Sequence, residues 1–379
     1  MILPESSREL AEALAAAASS GKSIRLYGAA SKNAMGGAIA PADVEISTCA
    51  LRRVLAYEPM DLTISVEAGL PFDEFSRVLA ANRQMVPLDP PCQERATVGG
   101  VIATNSSGPR RRLYGTARDC VIGMQFVTLE GKLVQSGGMV VKNVAGLDMA
   151  KLMIGSFGTL AAVAVVNFKL IPMPADTRTF VRSFDSPEAA VAARDAMLRS
   201  VLQPAAIDLL NPAAAARLGR ERWLLLTRAG GSAGVLDRYA RELADAEALE
   251  GYQENELWTR IREFVPEFLD GHPRGAVVRI STTLAGLGGV LAAVDATLLA
   301  RAGSGVCYAC FAEHDDAIAW LAQPRPDYCK CVLEWGPPER GTKAPPWPFP
   351  GSDLAMMEQI KSMFDPTRLL NRGRLYGRL

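Results

Sequence analysis

The sequence predicts an α+β protein of two parts, and three observations carry that reading. At 379 residues, 49% of them hydrophobic, the chain has apolar side chains enough for two or three packed cores. From Leu88 to Val166, short β-branched runs are separated by glycines set beside small hydroxyl residues, among them Gly99, Gly100, Gly108, Gly115, Gly155 and Gly158. Past Pro172 and Pro174 the composition changes to an alternation of strand-like and helix-like segments, which places a domain boundary near Pro174.

Composition narrows the function classes. Lysine plus arginine (41) equals aspartate plus glutamate (41), so net charge offers no attraction to nucleic acid or an anionic membrane. Seven cysteines without a hydrophobic leader fit a reducing compartment, and the expectation is a cytoplasmic protein. The longest apolar runs, such as Leu160 to Val166, fall short of the ~20 residues needed to span a bilayer, so any membrane contact would be peripheral.

The elements follow in order. Ser6 to Ser20, alanine-rich with Leu10 and Leu14 one turn apart, reads as a helix closed by Gly21. Ser23 to Tyr27 reads as a strand, and Gly28-Ala29-Ala30-Ser31-Lys32-Asn33 as a turn of mostly small side chains. Such a turn lets backbone amides approach an anion; read alone, it is equally an ordinary tight turn. Leu62 to Glu67 alternates as a strand, and Pro71 opens a helix with Phe72, Phe75, Val78 and Leu79 on one face. Pro90 and Pro91 stiffen the approach to Thr97-Val98-Gly99-Gly100, which runs into a helix carrying Asn105 and Ser106 to a loop. Arg110-Arg111-Arg112, the densest basic run, is a solvated loop or a clamp on an anion or acidic partner. Cys120 to Leu129 and Leu133 to Ser136 form a hairpin across Glu130-Gly131-Lys132. Ala150 to Ile154 is a short helix, and Thr159 to Leu170 has the unbroken apolar character of a buried strand.

Beyond Pro174, strands at Phe180–Phe184, Ala206–Leu210, Trp223–Arg228 and Ala276–Thr282 alternate with helices at Ser186–Arg199, Ala233–Ala248 and Leu287–Ala300, a ferredoxin-like order. Cys307/Cys310 and Cys329/Cys331 are a metal or redox site or packing thiols; the strand-like run around Cys307 favours packing, and no metal is expected. His272, in a Gly-His-Pro turn, and His314, beside Asp315-Asp316, read as surface residues, which leaves the catalytic residues unassigned. Pro345 to Pro350 is a stiff linker before a helix over Ser352–Met363.

Several of these motifs also form a recognisable series. Thr97-Val98-Gly99-Gly100, Asn105-Ser106-Ser107-Gly108, Tyr114-Gly115-Thr116-Ala117-Arg118-Asp119, Val141-Lys142-Asn143-Val144-Ala145-Gly146-Leu147-Asp148 and Gly155-Ser156-Phe157-Gly158-Thr159-Leu160 resemble the vanillyl-alcohol-oxidase/PCMH-type FAD domain, as does Phe364-Asp365-Pro366 through Leu370-Asn371 near the end. Within that superfamily the chain is most similar to the FAD-binding GlcE-type subunits of bacterial glycolate oxidases. The likeness is strong over Ile24 to Pro172, clear over Phe364 to Gly373 and weak between them; Ala29 and Ala30 stand where the family often has glycine, or glycine or asparagine.

The resemblance implies a PCMH-type FAD-binding domain of two α+β subdomains over 1–174, a ferredoxin-like cap over 175–340, and a segment over 341–379 that returns to the FAD domain. It implies noncovalent FAD, since the central motifs hold no histidine. The implied cofactor contacts are Gly28, Ala29, Ala30, Ser31, Lys32, Asn33, Pro90, Thr97, Val98, Gly99, Gly100, Asn105, Ser106, Gly108, Tyr114, Gly115, Arg118, Asp119, Lys142, Gly146, Gly158 and Val163, with Lys142 near the isoalloxazine ring. The implied activity is that of the FAD-binding subunit of a complex that oxidises glycolate to glyoxylate, with GlcD-like flavoprotein and GlcF-like iron–sulfur partners. The alternatives are a self-sufficient FAD-dependent 2-hydroxy-acid dehydrogenase and a flavin-free assembly subunit. The shortage of histidine disfavours the former, and the intact motif series disfavours the latter.

Overall fold

A computed structural model describes residues 1–139, 147–337 and 346–378. The chain divides into two units: Met1–Ser107 with Gly115–Met173 and Pro338–Leu379, and Gly108–Tyr114 with Pro174–Pro337.

In the first unit the strands are β1 (Ile24–Tyr27), β2 (Val44–Ser47), β3 (Val54–Glu58), β4 (Thr63–Glu67), β5 (Gln84–Met85), β6 (Val121–Val127), β7 (Leu133–Gly137), β8 (Ala162–Lys169) and β9 (Ile171–Pro172). β3, β4, β8, β6 and β7 make an antiparallel sheet in that order, β1 and β2 a separate parallel pair, and β5 and β9 a short antiparallel one. β8 is apolar on both sides because both are covered. Val163, Val166 and Phe168 pack with helices α2 (Phe72–Ala80) and α3 (Val98–Thr104), whereas Ala162, Ala164 and Val165 pack with β1, β2 and helix α1 (Ser7–Ser19). The end of the chain returns to this unit: Lys361, on the helix Asp353–Phe364, is buried, and its ammonium donates to the Asp365 carboxylate at 2.5 Å and the Thr159 carbonyl at 2.7 Å. Asp365 in turn accepts from the amides of Leu369 and Leu370 at 2.9 and 2.8 Å, which fixes the path of the segment after the helix.

The second unit begins with the one-turn helix α4 (Arg111–Tyr114) and contains two βαββαβ repeats in one antiparallel sheet. The first repeat is β10 (Asp176–Phe184), α5 (Pro187–Arg199), β11 (Ala206–Leu210), β12 (Trp223–Gly231), α6 (Ala233–Glu242) and β13 (Glu247–Leu249), in the spatial order β13-β10-β12-β11. After α7 (Gly251–Arg262) and α8 (Phe264–Gly271) comes the second: β14 (Ala276–Ser281), α9 (Leu287–Ala293), β15 (Thr297–Arg301), β16 (Val306–Phe311), α10 (His314–Leu321) and β17 (Lys330–Trp335), in the order β15-β16-β14-β17. Each order is that of a ferredoxin-like unit, and the two join where Leu209 of β11 lies opposite Ala300 of β15.

Several expectations need correction here. The helix expected over Leu287–Ala300 stops at Ala293 and is followed by β15, while the one expected over Ala233–Ala248 stops at Glu242 before the edge strand β13. Short alanine-rich apolar runs satisfy either period; pairing with β11 and β16 decides for strand at Thr297–Arg301. His314, expected at the surface, is buried at the first residue of α10 (4% exposed), and His272 is half-buried with its ring stacked on Phe268. Arg111 and Arg112 are not a freely solvated loop: burial lowers both guanidinium pKa values, and the Arg112 side chain lies where Gly303 lacks a β-carbon.

Alternation along the strands gives this sheet two unlike faces. Phe180, Ile207, Leu225, Val278, Ala300, Cys307 and Leu333 form one core with Ala190, Leu236, Val290 and Ala317 of α5, α6, α9 and α10. Their strand neighbours Thr179, Asp208, Arg228, Arg279, Arg301, Tyr308 and Glu334 therefore point to the other face. There Glu254 of α7 accepts from the hydroxyls of Thr177 and Thr179 and from Arg228, at 2.6, 3.1 and 2.9 Å.

Candidate cofactor site

In the first unit, the turn after β1 meets the start of α3 and the end of the chain. Ala30 sits in the left-handed region (φ 55°) and reverses the chain, leading into Asn33. Gly28 closes against α3: a β-carbon there would lie 2.2 Å from the Thr97 hydroxyl, which caps α3 by accepting the Gly100 amide. Gly99 packs on β4's end in the same way, its missing β-carbon falling 2.7 Å from that of Ala68. The C-terminal segment holds the turn from outside. Asn371 donates to the carbonyls of Leu26 and Phe157 (2.9 and 2.7 Å) and accepts the Leu26 amide (2.7 Å). Arg374 donates to the carbonyls of Asn33 (3.0 Å), Met35 and Gly37 (3.4 Å). Burial pushes the Arg374 guanidinium down to about 10, with Arg25 adding to the effect, so it is still charged at neutral pH.

These pieces line a cleft open to solvent. It brings together eleven of the expected contacts: Gly28, Ala29, Ala30, Ser31, Lys32, Asn33, Thr97, Gly99, Gly100, Gly158 and Val163. Leu26, Tyr27, Thr48, Ala103, Thr104, Phe157, Ala161, Asn371 and Arg374 also line it, and the sequence reading did not name them as contacts. Asn371 had a signal, since it closes the Phe364-Asp365-Pro366 motif; Arg374, three residues on, had none.

The other expected contacts lie elsewhere. Val98, the first residue of α3, points into the core, Pro90 is buried, Asn105 is the exposed left-handed cap of α3, and buried Ser106 shares a 2.7 Å hydrogen bond with Thr104. Gly115, Arg118 and Asp119 build a local cap: Asp119 accepts the Thr116 amide at 2.8 Å, a β-carbon on Gly115 would fall 2.3 Å from its carboxylate, and Arg118 donates to the Lys151 carbonyl at 3.0 Å. Gly108 and Tyr114 belong to the second unit, and Lys142 and Gly146 lie outside the described residues.

One glycine in the cleft is bare for no internal reason. A β-carbon on Gly100 would meet a single atom among the described residues, the Thr97 hydroxyl, at 3.1 Å. Gly28 and Gly99 are glycine because the protein itself fills the space; Gly100 leaves an open backbone face toward the cleft, as close approach of a ligand requires. With the small-residue turn at 28–33, buried Lys32 and the Arg374 cation, the donor set suits an extended anionic ligand of dinucleotide type.

Comparison with known families agrees. Residues 1–137 match the FAD binding domain family, and residues 347–375 match the C-terminal domain of the FAD linked oxidases. The chain carries an FAD-binding domain of the vanillyl-alcohol-oxidase/PCMH superfamily. Its relatives are FAD-linked oxidoreductases. The glycolate oxidase subunit GlcE of Escherichia coli (strain K12) is 33% identical over 213 residues, 56% of this chain and 56% of that protein. The glycolate oxidase subunit GlcD of Bacillus subtilis (strain 168) is 31% identical over 161 residues, 42% of this chain. The chain thus spans 56% and 34% of the lengths of these two relatives. A solved alkyldihydroxyacetonephosphate synthase covers 97% of this chain, and this chain 75% of it, with a TM-score of 0.71 and 19% identity, which shows the shared fold.

Four of the cysteine thiols are held protonated by burial. Burial raises the thiols of Cys307 and Cys310 and pushes Cys331 up to about 11 and Cys120 up to about 12, so none is a ready thiolate. Among the described residues, no group of three or more histidine, cysteine or acidic side chains could hold a metal ion, and no helix is long and apolar enough to cross a membrane.

Proposed function

We propose that this chain is the FAD-holding subunit of a glycolate oxidase-type complex, which oxidises glycolate to glyoxylate and passes electrons towards an iron–sulfur subunit. The observation that carries the reading is the open face of Gly100 in a cleft closed by the C-terminal segment; the similarity to GlcE and GlcD supplies the reaction class. The 28–33 turn, Gly99, Gly100 and Arg374 would hold the cofactor, and Asn371 positions the turn. Bound FAD supplies a hydride acceptor for the substrate's α-carbon. No histidine or cysteine lines the cleft among the described residues, so the flavin is held noncovalently. Lys142 and Gly146 belong to this reading as residues beside the flavin ring.

Oxidation of a hydroxy acid also needs a base for the hydroxyl proton. His272 Nδ1 sits 2.8 Å from the Phe268 carbonyl, His314 Nδ1 lies 3.4 Å from Asp315, and neither lines the cleft. Tyr308 is no substitute, because burial raises its phenol instead of lowering it. Turnover is therefore expected to need GlcD-like and GlcF-like partners, in the cytoplasm, with membrane contact only through the complex. The test is purification followed by reconstitution with an artificial electron acceptor. FAD released on acid precipitation and glycolate turnover only with partners are expected; a chain that takes up no FAD, or that turns over glycolate robustly alone, overturns the reading.

A further inference from the structure

On the helix-covered face of the second unit's sheet, a pocket of about 70 Å³ opens between α9, α10 and the edge strand β17. One water-sized group needs ~10–15 Å³, so there is room for a single ring or a short chain. The floor is apolar: Ile280, Val290 and Val294 line it and are buried in the core under the helices. Glycines at the start of α9 let the loop before β17 lie across the helix. A β-carbon on Gly286 would fall 2.6 Å from the Tyr328 ring, and one on Gly289 would fall 3.4 Å from the Tyr328 hydroxyl.

The rim has the opposite character, because it carries donors without acceptors. The Arg325 guanidinium lies 3.6 Å from the centre of the Trp320 ring, and its Nη2 donates to the Trp320 carbonyl at 2.6 Å. Yet the indole Nε1 of Trp320 and the Nε of Arg325, both shielded from solvent, have no hydrogen-bond acceptor among the described residues. Arg325 has no carboxylate partner among them either, and no acidic side chain lines the pocket. The thiols on the wall supply no negative charge. Cys329 donates to the Thr282 hydroxyl at 3.6 Å, and burial pushes Cys331 up to about 11.

A shielded N–H without an acceptor costs the fold free energy, and native structures leave few of them. Two such groups beside an unpaired cation and above an apolar floor are relieved together by a ligand that brings charged oxygens at one end and hydrocarbon at the other.

We infer that this pocket binds a small apolar anion, a single ring or short hydrocarbon chain ending in a carboxylate, with its body on Ile280, Val290 and Val294 and its head at Trp320 and Arg325. That class lacks the hydroxyl of the acids in the proposed reaction. All of the lining residues belong to the second unit, so the site stands whether or not the first unit holds FAD.

Isothermal titration of the full chain with FAD added tests the site, with benzoate, benzyl alcohol and acetate as probes. Benzoate should bind saturably, and more tightly than benzyl alcohol, which lacks the charge, or acetate, which lacks the body. Arg325→Gln should weaken benzoate by at least about tenfold. Ala293 is exposed where α9 borders the pocket, so Ala293→Phe should block the mouth and abolish binding without disturbing the core. Thermal unfolding of each variant checks that it is folded, and Ala293→Phe decides if Arg325→Gln is not. No saturable benzoate binding by the wild type, equal affinity for acetate or benzyl alcohol, or unchanged benzoate affinity in either folded variant overturns the site.

Discussion

Gly100→Ala is expected to leave the protein folded while weakening its hold on FAD, and the opposed signs make the test sharp. In the first turn of α3, alanine gains helix propensity over glycine of up to ~1 kcal/mol. Against this stands one crowded contact, the Thr97 hydroxyl at 3.1 Å, which a shift of a few tenths of an ångström relieves. The flavin-free variant should therefore unfold within about 1 kcal/mol of wild type, on either side. FAD, in contrast, meets a methyl group where the backbone was bare; overpacking of that kind costs about 1–3 kcal/mol, or roughly 5- to 150-fold in Kd. Gly100→Val should lose more. Gly28→Ala and Gly99→Ala behave differently: their β-carbons would fall 2.2 Å from Thr97 Oγ1 and 2.7 Å from Ala68 Cβ, so they should lose about 1–3 kcal/mol of stability without any ligand present. Denaturant unfolding of flavin-free protein and quenching of FAD fluorescence read the two quantities separately. An unchanged FAD affinity in Gly100→Ala would refute the placement of the cofactor against α3.

Other perturbations follow from the same geometry. Asn371→Ala removes three hydrogen bonds to the backbone of Leu26 and Phe157 and places alanine at φ 44°, so urea unfolding should show a loss of about 3–4 kcal/mol together with lower flavin occupancy. Lys361→Met leaves Asp365 buried without its cation and should cost about 3–5 kcal/mol, whereas adding Asp365→Asn to it should recover part of the loss, a result a double-mutant cycle reads directly. Glu334 has its pKa raised in the fold, chiefly by burial, so stability from this group is full below its unfolded value and is lost as pH rises through the folded one. Glu334→Gln should thus be more stable than wild type at pH 8 by a margin that shrinks as pH falls to about 4, measured by thermal unfolding across that range.

What the sequence made legible depended on whether a residue's reason lay in its own segment. β8 announces itself because both its faces are covered, giving an unbroken apolar run, and α1 and α5 carry their own serine caps at Ser6 and Ser186. β15 did not, because Thr297–Arg301 becomes a strand only through two neighbours, β11 and β16, that lie far from it in sequence or across a turn. The doubling of the ferredoxin-like unit was hidden for the same reason: the second repeat could be counted only once the run Leu287–Ala300 was split and β17 recognised.

The site shows the same division at the level of single residues. A glycine motif says that backbone must come close to something, but not to what. Gly115 meets the Asp119 cap, Gly28 the Thr97 hydroxyl and Gly99 the Ala68 methyl, while Gly100 alone of these leaves its face open to the cleft. Position in a motif therefore could not separate the cofactor contact from its structural neighbours; the atom that a β-carbon would strike does. Arginine carries the reverse ambiguity. Arg110 to Arg112 stand together in sequence, yet Arg112 fills the space beside Gly303 while Arg111 joins Arg279 and Glu334, residues from the far part of the chain. Adjacent positions on a one-turn helix point in different directions, so a basic run in sequence is not one site in the fold.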